Sequence, residues 1–302
     1  MTDTHERWPE LDYAKFKSTG HLLHMGVQAI GKFKLNTPFE PHWSNVPLWL
    51  TPRGLTSGLI PYDSGAFCID LDMIEHKVII KTSWGLHDHF NIESMSVADF
   101  TNQLFSTLQK LKVLLKINLM PQEIANPIPF NQDTKQQYYD KDLANAWWRI
   151  LINSYFVLKR YHAHFAGESP PVGLMWGTFD LRDARYNGTP VPTTGANSGY
   201  IRRNAMDEAQ VEAGWWTGNE LLQKPAYFSF IYPQPKEIER STIKPEKAYW
   251  HPSLMEFILE YDDLRQSKTP EKDLLDFFET TYKVGAELAG WDSKLLTKGE
   301  PI

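Results

Sequence analysis

A chain of 302 residues, 42% apolar and 23% charged, has ample length for a sizeable core and is not a disordered composition. Its net charge of −6, with no lysine/arginine block, argues against nucleic acid as a partner. No apolar run reaches the roughly 18–20 residues a membrane span needs, the opening MTDTHERWPELDY lacks a secretory pattern, and the lone Cys68 has no internal partner, so we expect a cytoplasmic protein with no membrane contact.

The first element falls in Leu11–Leu35 and reads as a helix from about residue 21. Leu22, Met25, Ala29 and Phe33 share its apolar face. His24, Gln28, Gly31 and Lys32 recur at three- and four-residue steps on another face, a stripe that survives even if the segment is a strand. Gly20, Gly26 and Gly31 weaken the helix reading. Val46–Thr51, Leu55–Pro61, Ala66–Ile74, Lys77–Ser83 and His87–Glu93 are short, β-branched or aromatic runs separated by tight turns, so antiparallel neighbours are expected. Phe67, Ile69, Leu71 and Met73 alternate with Cys68, Asp70 and Asp72. Ser96–Lys112 is a helix opened by a Ser96/Asp99 capping box. Lys116–Met120 reads as a further strand.

A proline-rich connection follows, and the boundary between two closely packed halves is set at 121–138, leaving 1–120 and 139–302. The second half opens with a helix over Lys141–Phe165, capped by Asp140, with Trp147, Ile150, Leu151, Ser154, Leu158 and Tyr161 buried. Val172–Tyr186 reads as strand, turn, strand around Trp176–Asp180. Asn187–Ala205 reads as a long polar loop, and Glu208–Trp216 as a short helix ending at Gly214 or Gly218. Ala226–Tyr232 and Met255–Glu260 are strands, and a last helix starts at Thr269-Pro270-Glu271. The fold class is therefore α+β, with mostly antiparallel sheet packed against long helices.

Aromatic residues are the compositional outlier: 11 Trp, 13 Tyr and 16 Phe serve either as bulky core or as the walls of a small-molecule pocket. The His24–Gln28–Lys32 stripe is either a solvated face or a partly buried polar row suited to a polar or anionic ligand, with His24 as proton-transfer group. His42-Trp43 and Arg53 flank the first strand. Arg53 is either an exposed turn residue or a fork onto a carboxylate. Trp176-Gly177-Thr178-Phe179-Asp180 is either a packing bulge or an aromatic wall with Asp180 and Arg185 as polar contacts. The spaced His pairs (His21/His24, His87/His89, His162/His164) lack a third ligand at fitting spacing, so no metal is expected. No Gly-x-Gly-x-x-Gly, Walker-type or Gly-x-Ser-x-Gly motif occurs, which removes nucleotide cofactors and serine-hydrolase chemistry from the expectation.

Taken together, His24-Met25-x-x-Gln28-x-x-Gly31-Lys32, His42-Trp43-x-x-Val46-Pro47-Leu48 with Arg53-Gly54-Leu55-Thr56, and Trp176-Gly177-x-Phe179-Asp180-Leu181 resemble domain-of-unknown-function family 5996. The likeness runs on through Tyr227–Pro235 to Ala289-Gly290-Trp291-Asp292. It implies one unit over nearly the whole chain and brings no assigned activity or catalytic residue. Related sequences carry a second His just before Val-Pro-Leu; Asn45 stands there here, which weakens a two-His metal site. Glu208 and Glu212 stay open as further acidic candidates.

Three functional readings follow. The first is an enzyme working on a small polar or anionic molecule without a nucleotide cofactor, with His24 and His42 in acid/base roles. Lys32, Arg53 and Arg185 would stabilise charge, and Gln28, Trp43, Trp176 and Asp180 would hold the ligand. The second is a non-catalytic small-molecule or carbohydrate binder. The third is a protein-interaction unit. The sequence leaves the oligomeric state open.

Overall fold

The computed structural model describes residues 7–63, 65–193 and 200–296. The α+β expectation holds. Helix α1 spans Tyr13–Gly31, and the Asp12 side chain accepts from the Lys15 amide at 2.8 Å to cap it. The helix thus starts well before residue 21, at the Asp12 cap, and two of its glycines are points of close approach rather than breakers. A Cβ on Gly26 would lie 2.9 Å from the Phe100 ring, and one on Gly31 would lie 2.2 Å from the Trp176 indole.

Strands β1 (Trp49–Thr51), β2 (Gly54–Thr56), β3 (Ile60–Tyr62), β4 (Gly65–Asp72), β5 (Lys77–Thr82) and β6 (His87–Asn91) form the first sheet, in the order β1-β2-β4-β5-β6 with β3 also on β4. All of its pairings are antiparallel. The alternation in β4 behaves as the period of two dictates: Phe67, Ile69, Leu71 and Met73 are buried. Strand β7 (Met95–Ser96) pairs with β8 (Gln136–Gln137). Helix α2, Val97–Lys110, carries the expected capping box. Lys116–Met120 is not a strand. Leu115, Ile117 and Leu119 pack against the core in alternation, but no described strand supplies a ladder; the Phe130 amide bonds the Leu119 carbonyl, and the Met120 amide turns onto the Asn118 side chain.

The second sheet runs β13-β14-β12-β11-β10-β9. These strands are β9 (Gly173–Met175), β10 (Asp180–Pro190), β11 (Glu208–Trp216), β12 (Ala226–Tyr232), β13 (Tyr249–His251) and β14 (Glu256–Glu260). Helices α3 (Lys141–Ala163) and α6 (Pro270–Leu288) lie on one face, with α4 (Tyr200–Ala205) and α5 (Tyr261–Arg265) as short helices. The expected polar loop is therefore shorter than its composition implies: 187–190 continue β10 and 200–205 are helical, while 194–199 lie outside the described residues. Glu208–Trp216 is a strand, not a helix. Its residues alternate, with Ala209, Val211, Ala213 and Trp215 on the core side and Glu208, Gln210, Glu212 and Trp216 on the other, which is a strand period. One apolar cluster contains residues of both sheets and of all four long helices, and Leu48 exchanges backbone hydrogen bonds with Leu174 at 2.9 Å where the sheets meet.

Candidate functional site

Register decides what the second sheet offers. Asp183 pairs with Ala213, and Ala213 with Ser229, so the odd-numbered residues of β10 and β11 face α3 and α6. The even-numbered residues face the other way. Ala184, Glu212 and Phe230 lie in one row, and Arg182, Gly214 and Phe228 in the next. This second face is left uncovered by α3 and α6. It floors a cavity of about 840 Å³, lined by Asp180, Arg182, Glu212, Trp216, Phe228, Phe230 and Glu256 from the sheet side. Its other walls are His24, Trp43, Gln122 to Ile124, and Met175 to Phe179.

The ionisable groups in this cavity are mostly acidic. Arg182 donates to Glu212 at 2.6 Å, and both are buried. Burial works against the Arg182 charge, but Glu212, Tyr186 and Asp180 outweigh it and keep the guanidinium firmly protonated. Asp180 is buried and accepts from the Thr178 hydroxyl; burial pushes its carboxyl up to about 7, with Glu212 and Glu123 adding to the rise. Glu256 is pushed up to about 8 by burial and then by Glu212 and Asp180. Glu123 is raised too, by burial first and then by Glu212. Acidic groups sharing one apolar pocket cannot all ionise, so this site holds protons near neutral pH.

The histidine stripe reaches the cavity only at one end. His24 lines it, with its ring stacked on Phe179 (4.8 Å between centroids) and its Nε2 at 2.9 Å from the Gly177 carbonyl. Burial lowers its pKa to about 4, so the imidazole is neutral and donates to that carbonyl. Gln28 sits behind it, fully buried. Its Nε2 donates to the carbonyls of Gln122 (2.8 Å) and Gly177 (3.1 Å), and its Oε1 accepts from the Gln122 amide at 2.9 Å. One amide thus ties α1 to the two segments that carry Glu123 and Asp180. Lys32 is buried with its ammonium 5.8 Å from the Trp176 ring and 5.9 Å from the Phe130 ring, outside the cavity lining; burial lowers its pKa to about 8. Trp176 forms part of the wall, with its indole N–H on the Val46 carbonyl at 3.0 Å.

Besides Gln28 and Lys32, which stand outside the lining, three residues expected at the site are elsewhere. Arg53 pairs with Asp72 (2.6 Å) and Glu75 (3.1 Å) across a turn of the first sheet. Arg185 faces the helices, where its guanidinium lies 3.4 Å over the Tyr161 ring and donates to the Tyr161 carbonyl. Parity separates it from Arg182, which takes the cavity side in its place. His42 stacks on Tyr186 with centroids 3.6 Å apart, outside the cavity lining, while its neighbour Trp43 is in the wall. Both residues have positive φ, 56° and 58°, and this turn sends their side chains to different places. Asn45 braces the same loop through the Thr37 hydroxyl (3.0 Å) and the Glu40 amide (3.3 Å).

Sequence reasoning left Glu212 as an open acidic candidate with no place at the site, and it missed Glu256, Arg182 and Glu123. The strand alternation of Glu208–Trp216 was the available signal for Glu212 and, through pairing, for Arg182. Nothing local marks Glu123 or Glu256. Fold and site together define an α+β protein with an aromatic-walled, carboxyl-rich cavity on the free face of an antiparallel sheet. The chain matches the family of unknown function DUF5996 over residues 8–298 and belongs to that family. No curated protein and no solved structure matches it.

Proposed function

We propose that this protein is an enzyme acting on a small polar molecule, neutral or cationic, by acid/base chemistry of carboxyl groups rather than of histidine. One observation carries the reading: Asp180, Glu212 and Glu256 converge from three strands on one walled cavity, beside Arg182, the one guanidinium that lines it among the described residues and is already engaged by Glu212. Buried carboxyls whose protonation is spread around neutral pH are suited to giving and taking protons there. In this reading Asp180 is the acid, Glu212 the carboxyl partner held by Arg182, and Glu256 a second proton carrier. His24, being neutral and tied to the Gly177 carbonyl, positions the Trp176–Asp180 turn. An anionic ligand loses its support, because Lys32, Arg53 and Arg185 are not in the lining.

A cytoplasmic setting fits this reading: Cys68 is a free, partly buried thiol, and no described helix is long and apolar enough to cross a membrane. A second reading, binding without turnover, is favoured by the wall itself. Trp43, Trp176, Trp216, Phe228 and Phe230 offer flat faces of the kind on which sugar rings stack. The two separate on turnover. Compounds retained by the wild type are incubated with wild type and Asp180→Asn, and products are followed by mass spectrometry. The enzyme reading expects retained binding in the variant with turnover lower by about 10²–10⁴-fold. Binding without turnover in the wild type selects the binder.

A further inference from the structure

Outside the cavity, three segments distant in sequence bring ligating side chains together. His42 comes from the Pro41–Trp43 turn, Glu168 from the stretch after α3, and Glu208 from the first position of β11. One ligand atom from each lies within 4.8 Å of the others. The His42 Nε2 is 3.4 Å from Glu168 Oε1 and 3.6 Å from Glu208 Oε2.

These spacings are long for an imidazolium held by a carboxylate, for which N–H···O distances are about 2.7–2.9 Å. A single Nε2 proton also cannot point at two oxygens at once. They do match neighbouring donors around one four-coordinate ion. With metal–N and metal–O bonds of about 2.0–2.2 Å, tetrahedral donors lie about 3.3–3.6 Å apart. Two of the three donors, His42 and Glu208, are already held in place. The His42 ring is 7% exposed and clamped flat on Tyr186, and its Nδ1 is buried with no hydrogen-bond partner among the described residues. Glu208 uses its other oxygen, Oε1, to accept from the Gly188 amide, which leaves Oε2 turned to His42. The backbone of Glu168 is fixed by the Tyr186 amide on its carbonyl at 2.9 Å, while its side chain stays 61% exposed and leaves one side of the group open to water.

We infer that His42, Glu168 and Glu208 form a binding site for a divalent transition-metal ion such as Zn²⁺, with solvent completing the coordination. One imidazole and two carboxylates suit an ion of this borderline class better than Ca²⁺ or Mg²⁺. The bound ion would pin the turn that carries Trp43, a wall of the main cavity, to the second sheet. The site is independent of the acid/base reading of that cavity.

The test is calorimetric titration of ZnCl₂ into metal-stripped protein, alongside melting curves with and without zinc. The wild type should take up one equivalent at this site and melt higher when zinc is present. His42→Ala should lower the affinity at least 30-fold, and Glu168→Gln at least 10-fold. Glu168 is exposed, so its variant should melt like the stripped wild type in chelator, which keeps folding and binding separate. No saturable uptake by the wild type would overturn the inference. So would binding in Glu168→Gln and His42→Ala that equals wild type, since the zinc would then be held by other histidines.

Discussion

Asp180 shows how one buried group couples the site to the stability of the fold. Its carboxyl titrates near 7 in the folded chain, against an ordinary value of 3.8. The folded state therefore holds the proton more tightly than the unfolded one. The associated stability is fully present below about pH 4 and is lost as pH rises through about 7. Glu256, pushed up to about 8, acts in the same direction over the same range. We expect Asp180→Asn to match wild type at pH 4 and to exceed it by about 2–4 kcal/mol at pH 8, measured by urea denaturation. The amide keeps an oxygen for the Thr178 hydroxyl, so the comparison isolates the charge. A wild type with flat stability over this range would contradict the burial of Asp180. Residue type alone pointed to Asp180 and Trp176, but it could not rank Arg185 against Arg182. That choice belongs to strand parity, and a one-residue offset exchanges the cavity for the helix-facing core.

At the scale of elements, α1 is the spine of the site. Its stripe was legible as a helical row, yet the roles divide along it: His24 lines the cavity, Gln28 ties two loops, and Lys32 lies among aromatic rings. Spacing establishes that residues share a face, while depth depends on what packs against that face. Gly31 gives the sharpest test. Replacing a helical glycine by alanine ordinarily stabilises by roughly 0.5–1 kcal/mol. Here the new Cβ would lie 2.2 Å from two atoms of the Trp176 indole, which is itself fixed on the Val46 carbonyl. Overpacking of about 1–3 kcal/mol should win. Gly31→Ala is therefore expected to lower stability in urea denaturation by that amount, and a gain would show that Trp176 does not rest on the helix. The strands of the first sheet were readable from their turns because each is short and flanked by breakers. Strand β11 was misread because glycine and glutamate suit either a helix end or a strand, and only the two-residue alternation separates them.

For the whole molecule, the sequence carried the α+β class, the antiparallel sheets and the long helices, because hydrophobic periodicity encodes them directly. It did not carry the site, whose residues come from α1, the 122–124 stretch, the turn before β10, and β10, β11, β12 and β14. Such a constellation exists only once the sheet has closed its register and left one face open. What that face receives is tested directly by equilibrium dialysis. Wild type and Glu212→Gln are dialysed against a polar metabolite extract, and retained compounds are identified by mass spectrometry. The wild type should retain neutral or cationic polar compounds, with retention at least 10-fold lower in Glu212→Gln; retention of anions alone, or equal retention by both proteins, would contradict the account.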